Sequence, residues 1–87
     1  MIEKKAVIKN ETGLGIKPAG AFSNIALTYS CNVYLKVREY EVNAKSLLGI
    51  LSAQVKPGEE ITVVCDGNGE EECLAEIMAA IDHSFGL

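Results

Sequence analysis

The sequence predicts an α/β (α+β) two-layer open-faced sandwich. Four strands form one sheet and three helices cover one of its faces, in the order βαββαβα. Three observations carry this. Residues 2–9, 32–37 and 60–66 alternate or run apolar with the period of a strand. Residues 16–27 and 70–85 place apolar side chains at helical spacing. The chain has 87 residues, 48% of them hydrophobic. That suffices for one core and not for two, so a single domain over 1–87 is expected.

The first strand, "IEKKAVIK" (2–9), puts Ile2, Ala6 and Ile8 on one face, with Lys4 breaking the pattern. Asn10 to Gly15 reads as loop. From Ile16 to about Leu27, Ala19, Phe22 and Ala26 recur at helical spacing, with Tyr29 continuing the stripe. Pro18 suits the first turn, where its missing N–H costs nothing. "NVYLKV" sets Val33, Leu35 and Val37 against Tyr34 and Lys36 as a second strand, and "YEVNA" (40–44) is a short third. Arg38-Glu39 between them is a poor two-residue hairpin turn, because neither residue favours positive φ. "KSLLGILSAQV" reads as a short helix opened by Ser46, and "PGEE" as a turn. "EITVVCD" (60–66) is the most apolar strand and belongs in the centre of the sheet. The last helix has the stripe Cys73, Leu74, Ile77, Met78, Ile81 and Phe85. Glu70, Glu71 and Glu72 in its first turn complement the helix dipole. A strand–helix–strand start implies a right-handed crossover. The uncovered sheet face meets water, which suits the charges of the first strand.

Composition narrows the function. The net charge is −4, which argues against a partner that is nucleic acid or an anionic membrane. No apolar run approaches a membrane span, and "MIEKKAVIKN" lacks the order of a signal peptide, so a cytoplasmic protein is expected. Cys31, Cys65 and Cys73 contain no CxxC pair, and His83 is the only histidine. Their spacing gives no sign of the four converging ligands that a structural zinc needs. The expectation is three buried free thiols, no metal and no cofactor. His83 stands near the end of the last helix, where an imidazolium complements the dipole.

Two segments carry more. "NETGLGIKPAGAF" (10–22) is a glycine-rich passage from strand to helix, a place where phosphates bind. The dinucleotide fingerprint G-x-G-x-x-G nevertheless fails, since Pro18 holds the third glycine's place, and the P-loop pattern is absent. "NAKSLLGIL" (43–51) sets Ser46 before an apolar cluster. Structurally, Ser46 is an N-cap. Functionally, a phosphate on Ser46 would lie on the free N–H groups of a helix start. Leu47, Leu48, Ile50 and Leu51 cannot all face inward on so short a helix, so some form an exposed contact patch.

Together these segments resemble the HPr family, the small histidine-containing phosphocarriers of the bacterial sugar phosphotransferase system. The family's active loop, G-[LI]-H-x-R-P-A, is matched by Gly13-Leu14-Gly15-Ile16-Lys17-Pro18-Ala19. Its regulatory A-K-S segment is matched by Ala44-Lys45-Ser46 and the apolar run to Leu51. Gly67-Asn68-Gly69-Glu70 matches the family's entry to the last helix, and the likeness spans the chain. It implies an antiparallel sheet of strand order 1-4-2-3. It also implies that Gly15 occupies the place of the phosphorylated histidine, leaving a degenerate phosphoryl site of Gly15, Ile16, Lys17 and Pro18. Lys17 keeps the charge of the family's arginine without its bidentate fork.

The catabolite-repression branch of the family, Crh, also lacks the histidine, with glutamine in its place, and keeps the serine. Asn24 stands where Gram-positive relatives often carry a basic residue. The likeness to Crh implies a regulatory, non-enzymatic module. HPr kinase/phosphorylase would phosphorylate Ser46, and a catabolite-control transcription regulator would bind the product. Ile16, Lys17, Gly20, Leu47, Leu48 and Leu51 would form the contact surface. A second reading is a competitor that docks on enzyme I or sugar-transporter subunits without transferring phosphate. A third is a phosphocarrier with its acceptor moved to Thr12 or His83. A phosphate ester on Thr12 holds its phosphoryl group too stably for rapid relay, and His83 is expected far from the loop.

Overall fold

The computed structural model describes residues 1–87. The elements follow the expected order: β1 (Ile2–Val7), α1 (Ile16–Leu27), β2 (Asn32–Val37), β3 (Tyr40–Asn43), α2 (Leu47–Ser52), β4 (Glu60–Asp66) and α3 (Glu70–Asp82). A 3₁₀ turn, Ser84–Gly86, ends the chain. The four strands form one antiparallel sheet of order β1-β4-β2-β3. None of the helices is long and apolar enough to cross a membrane.

Burial explains the strand order. β4 is paired on both edges, and its inward residues Ile61, Val63 and Cys65 are fully buried. α1 brings Pro18, Ala19, Phe22, Ser23 and Ala26 to the interior. α3 brings Cys73, Leu74, Ile77 and Ile81. Facing them, Val33, Leu35 and Val37 of β2 complete the core. The stripes read by period are therefore the buried faces of α1 and α3, except that Met78 is only partly buried. Phe85, expected to continue the α3 stripe, lies beyond the helix end at Asp82, in the 3₁₀ turn with φ +58°, where it still packs partly buried on the core. Lys4 shares the inward parity of β1 yet is exposed, which an edge strand permits.

β1 stops at Val7, two residues before the expected end. Ile8 leaves the ladder for the turn before β4. Its N–H donates to the Glu59 carbonyl at 3.0 Å, and its carbonyl accepts from the Gly58 N–H at 2.7 Å. Ile8 is still buried, so the apolar pattern runs past the ladder.

The unpromising Arg38-Glu39 turn does form a two-residue hairpin, with Val37 opposite Tyr40. Arg38 takes φ +53°, a left-handed conformation that costs a side-chain-bearing residue about 1 kcal/mol. Contacts outside the turn offset that cost. The Arg38 guanidinium donates to both Glu59 carboxylate oxygens and to the Ala53 carbonyl. It also lies over the Tyr40 ring, 5.7 Å from the centroid. Glu59 accepts in addition from the Lys56 N–H at 2.8 Å.

The Arg38 bond first, and the Lys56 N–H second, hold the Glu59 carboxyl below the ordinary carboxylate range. A depressed carboxyl stabilises the fold above its unfolded-state pKa, and that contribution is lost as pH falls through the folded-state value. Glu59→Gln is therefore expected to lower the urea midpoint at neutral pH. The gap from wild type should close once pH falls below about 4.3, the usual glutamate value. A gap that stays constant from neutral to acid pH would count against this ion pair.

Candidate functional site

The two glycines of the 10–22 segment do different work. Gly13 has φ +62°, and a Cβ there would stand 2.0 Å from the Val55 carbonyl oxygen. The loop is pressed onto the backbone at 55–56, and the Leu14 N–H donates to that same carbonyl at 3.0 Å. Gly13 is thus required by backbone approach and handedness. Gly15 is the N-cap of α1, with φ −72° and ψ −169°. Any residue adopts that conformation. A Cβ at Gly15 would have Thr12 as its nearest neighbour, with Oγ1 at 3.3 Å, Cβ at 3.4 Å and the carbonyl oxygen at an ordinary 3.6 Å. Thr12 is exposed and able to give way by the few tenths of an ångström needed. The backbone at position 15 has room for a side chain that the sequence does not supply.

Around this N-terminus lies an open hollow of about 490 Å³, lined by Lys9, Asn10, Glu11, Thr12, Lys17, Pro18, Ser84 and Leu87. Lys17 is exposed on its wall, while Pro18 is buried in the first helical turn. The Asn10 amide donates to the Ser84 carbonyl at 2.9 Å, across 74 residues of chain. Phe85 packs on Phe22 with ring centroids 5.9 Å apart. The C-terminal turn is thereby folded back onto the loop. His83 is exposed and does not line the hollow, but its neighbour Ser84 does. The hollow has two ammonium groups and a helix N-terminus, but no imidazole.

Ser46 is the N-cap of α2, and its Oγ accepts from the Gly49 N–H at 3.0 Å. The neighbouring Lys45 ammonium donates to the Tyr29 carbonyl at 2.7 Å, which ties this corner to the end of α1. Of the apolar run, Ile50 is buried and Leu51 is half-buried against the core. Leu48 is 77% exposed and Leu47 38%. The exposed part of the expected patch is therefore Leu47 and Leu48, and Leu51 mainly packs inward.

α1 packs beside α2 and leaves Ile16 73% exposed. At Gly20 a Cβ would meet nothing within 4 Å. Leu27, not singled out from the sequence, is 60% exposed. It lies three helical turns from Ile16 and on the same stripe, a period visible in the sequence. Asn10 and Ser84 were also missed, and no local signal marks them, since only the tertiary fold brings them together.

One reading of the sequence is corrected. The spacing of the cysteines gave no sign of convergence, yet Cys31, Cys65 and Cys73 are buried with all three Sγ atoms within 4.8 Å of one another. Three elements meet there: the approach to β2, the end of β4 and the first turn of α3. His83 is not part of the group. Desolvation pushes the Cys65 and Cys73 thiols up.

A family model described as "PTS HPr component phosphorylation site" matches residues 2–83. The HPr-like protein Crh of Halalkalibacterium halodurans is 33% identical over 82 residues, covering 94% of this chain and 98% of that one. The crystal structure of HPr from Thermoanaerobacter tengcongensis superposes with a TM-score of 0.96 at 34% identity, covering 100% and 98% of the two chains. Crh of Bacillus subtilis, whose crystal structure is described as a swapped dimer, gives a TM-score of 0.77 at 32% identity over 97% of each chain.

The contrast between the glycines can be measured by urea denaturation. Gly13→Ala is expected to destabilise the fold by at least about 2 kcal/mol, from positive φ and the clash at Val55. Gly15→Ala should cost no more than about 1 kcal/mol, the ordinary loss of a glycine N-cap. Equal losses at the two positions would contradict the assignment of Gly13 as structural and Gly15 as free.

Proposed function

Because the chain belongs to the HPr family of the bacterial sugar phosphotransferase system, we propose that it is a Crh-like regulatory member that carries no phosphohistidine at position 15 and is switched by phosphorylation at Ser46. One observation carries the reading. The family's phosphoryl loop is built here around Gly15, whose backbone has room for a side chain, while Ser46 stands at a helix N-cap beside exposed Leu47 and Leu48. A glycine has no nucleophile, so the relay from enzyme I to a transporter subunit cannot pass through position 15. Lys17 retains a positive charge on the hollow, but a point charge does not replace a bidentate fork.

The serine fits the opposite role. Its Oγ lies at the start of α2, where the first N–H groups lack helical partners. A phosphate there adds nearly two negative charges at the end of the dipole that favours them. The new charge adjoins Leu47 and Leu48, with Ile16, Lys17 and Gly20 on the neighbouring helix. A partner suited to this surface offers an arginine for the phosphate and an apolar pocket for the leucines. The likeness to Crh makes HPr kinase/phosphorylase the modifying enzyme and a catabolite-control transcription regulator the partner.

Incubation with HPr kinase/phosphorylase and ATP is expected to add one phosphate by intact mass, and Ser46→Ala to add none. No phosphate on the wild type, or equal phosphate on Ser46→Ala, would sink the reading.

A second reading rests on the same α1 surface, where Ile16 is exposed and Gly20 open. A chain that keeps the docking face and lacks the acceptor competes with a working HPr on enzyme I or transporter subunits. Titration into a phosphotransfer assay is then expected to inhibit at excess. Undiminished turnover at high excess rules this out.

A further inference from the structure

We propose that Cys31, Cys65 and Cys73 form a buried trithiol site that captures one trivalent arsenic hydroxide, As(OH)₃, as a neutral three-sulfur adduct. The three sulfurs lie within 4.8 Å of one another and come from three separate elements. A soft ion bonds sulfur at about 2.3 Å, so three sulfurs around one atom stand at most about 4 Å apart. Small rotations of the three side chains close that gap. None of the three is needed by the phosphoryl hollow or by the Ser46 surface.

The surroundings select the ligand. All three thiols are buried, none more than 2% exposed. Along the chain Asp66 follows Cys65 at the end of β4 and Glu70 opens α3 three residues before Cys73. Both carboxylates pair with the Met1 ammonium, at 3.7 and 3.2 Å. Glu71 and Glu72 follow in the first turn of α3. A dry site with carboxylates close to it along the chain disfavours an anionic product. Three thiolates on Zn(II) leave one net negative charge, and on Cu(I) two. As(OH)₃ is uncharged at neutral pH and gives an uncharged product. Three As–O bonds break, three As–S bonds form, and each thiol proton leaves with a hydroxide as water. No electrons are transferred.

Access is short. Gly67 lies against Cys31, where a Cβ would stand 3.3 Å from the Cys31 Cα and Cβ. The segment 67–70 is closed by the Gly67 N–H to Glu70 Oε1 at 2.9 Å and by the Glu70 N–H to the Gly67 carbonyl at 3.1 Å. Two exposed-side hydrogen bonds are the kind that open locally without global unfolding.

The test uses the reduced full chain with sodium arsenite, followed by intact native mass spectrometry. The expected product is one adduct per chain with the mass of one arsenic less three hydrogens, which reports three thiols consumed. Cys31→Ala, Cys65→Ala and Cys73→Ala should each weaken binding at least about tenfold, because the third bond is intramolecular. Arsenite should raise the wild-type melting midpoint by at least about 5 °C, as a tenfold preference for the folded chain does in a domain of this size. Should a variant fail to fold, the wild-type mass and midpoint decide alone. The proposal is overturned by no adduct at excess arsenite, by a two-thiol adduct that retains a hydroxyl, by a lowered midpoint, or by zinc binding as tightly as arsenite.

Discussion

The pairing of β4 on both edges is the constraint on which the rest of the molecule depends. Its inward residues Ile61, Val63 and Cys65 are fully buried, and it is the strand that joins β1 to the β2–β3 hairpin. A strand buried in this way cannot leave backbone groups unpaired, so the sheet must flank it on both sides. That requirement sends β1 and β2 to opposite edges of β4 and makes the connection through α1 cross over the sheet. The same placement sets the loop at 10–15 against the backbone at 55–56, and Cys65 beside the first turn of α3. The site and the thiol cluster are both consequences of where β4 lies.

The loop at the start of α1 is set by what folding demands at two of its positions. Gly13 cannot be exchanged because a Cβ would enter the Val55 carbonyl, and Pro18 is buried in the first helical turn. Gly15, by contrast, is under no such demand. The fold therefore does not dictate which residue stands at position 15. Ser46 lies between these cases, since its hydroxyl already serves the fold as a cap. Any change to that hydroxyl would act on a group that the helix start uses, so charge and local structure would change together.

The hairpin at Arg38-Glu39 shows how the fold tolerates a locally poor choice. Neither residue favours the turn, yet the guanidinium reaches Glu59, the Ala53 carbonyl and the Tyr40 ring. Tyr40 adjoins the turn, but Glu59 and the Ala53 carbonyl lie 21 and 15 residues away, on the segment before β4, where no local pattern announces them. The outcome is a turn stabilised from outside itself, which propensity alone cannot foresee.

Features that depend on short-range period and local chemistry are legible in the chain itself. The four strands, the buried stripes of α1 and α3, the cap at Ser46 and the absence of a nucleophile at Gly15 all lie within a turn or two of the residues that signal them. Strand order and the family likeness were legible as well, through motifs that span the chain. Tertiary structure alone decided what depends on distant segments meeting. It separated the indispensable Gly13 from the unconstrained Gly15, folded Ser84 onto Asn10, and turned Leu51 inward while leaving Leu47 and Leu48 outside. It also gathered Cys31, Cys65 and Cys73, which are 34 and 8 residues apart along the chain, into one buried cluster. Spacing could not reveal that meeting, because it arises from the register of β2 on β4 and the packing of α3 over them.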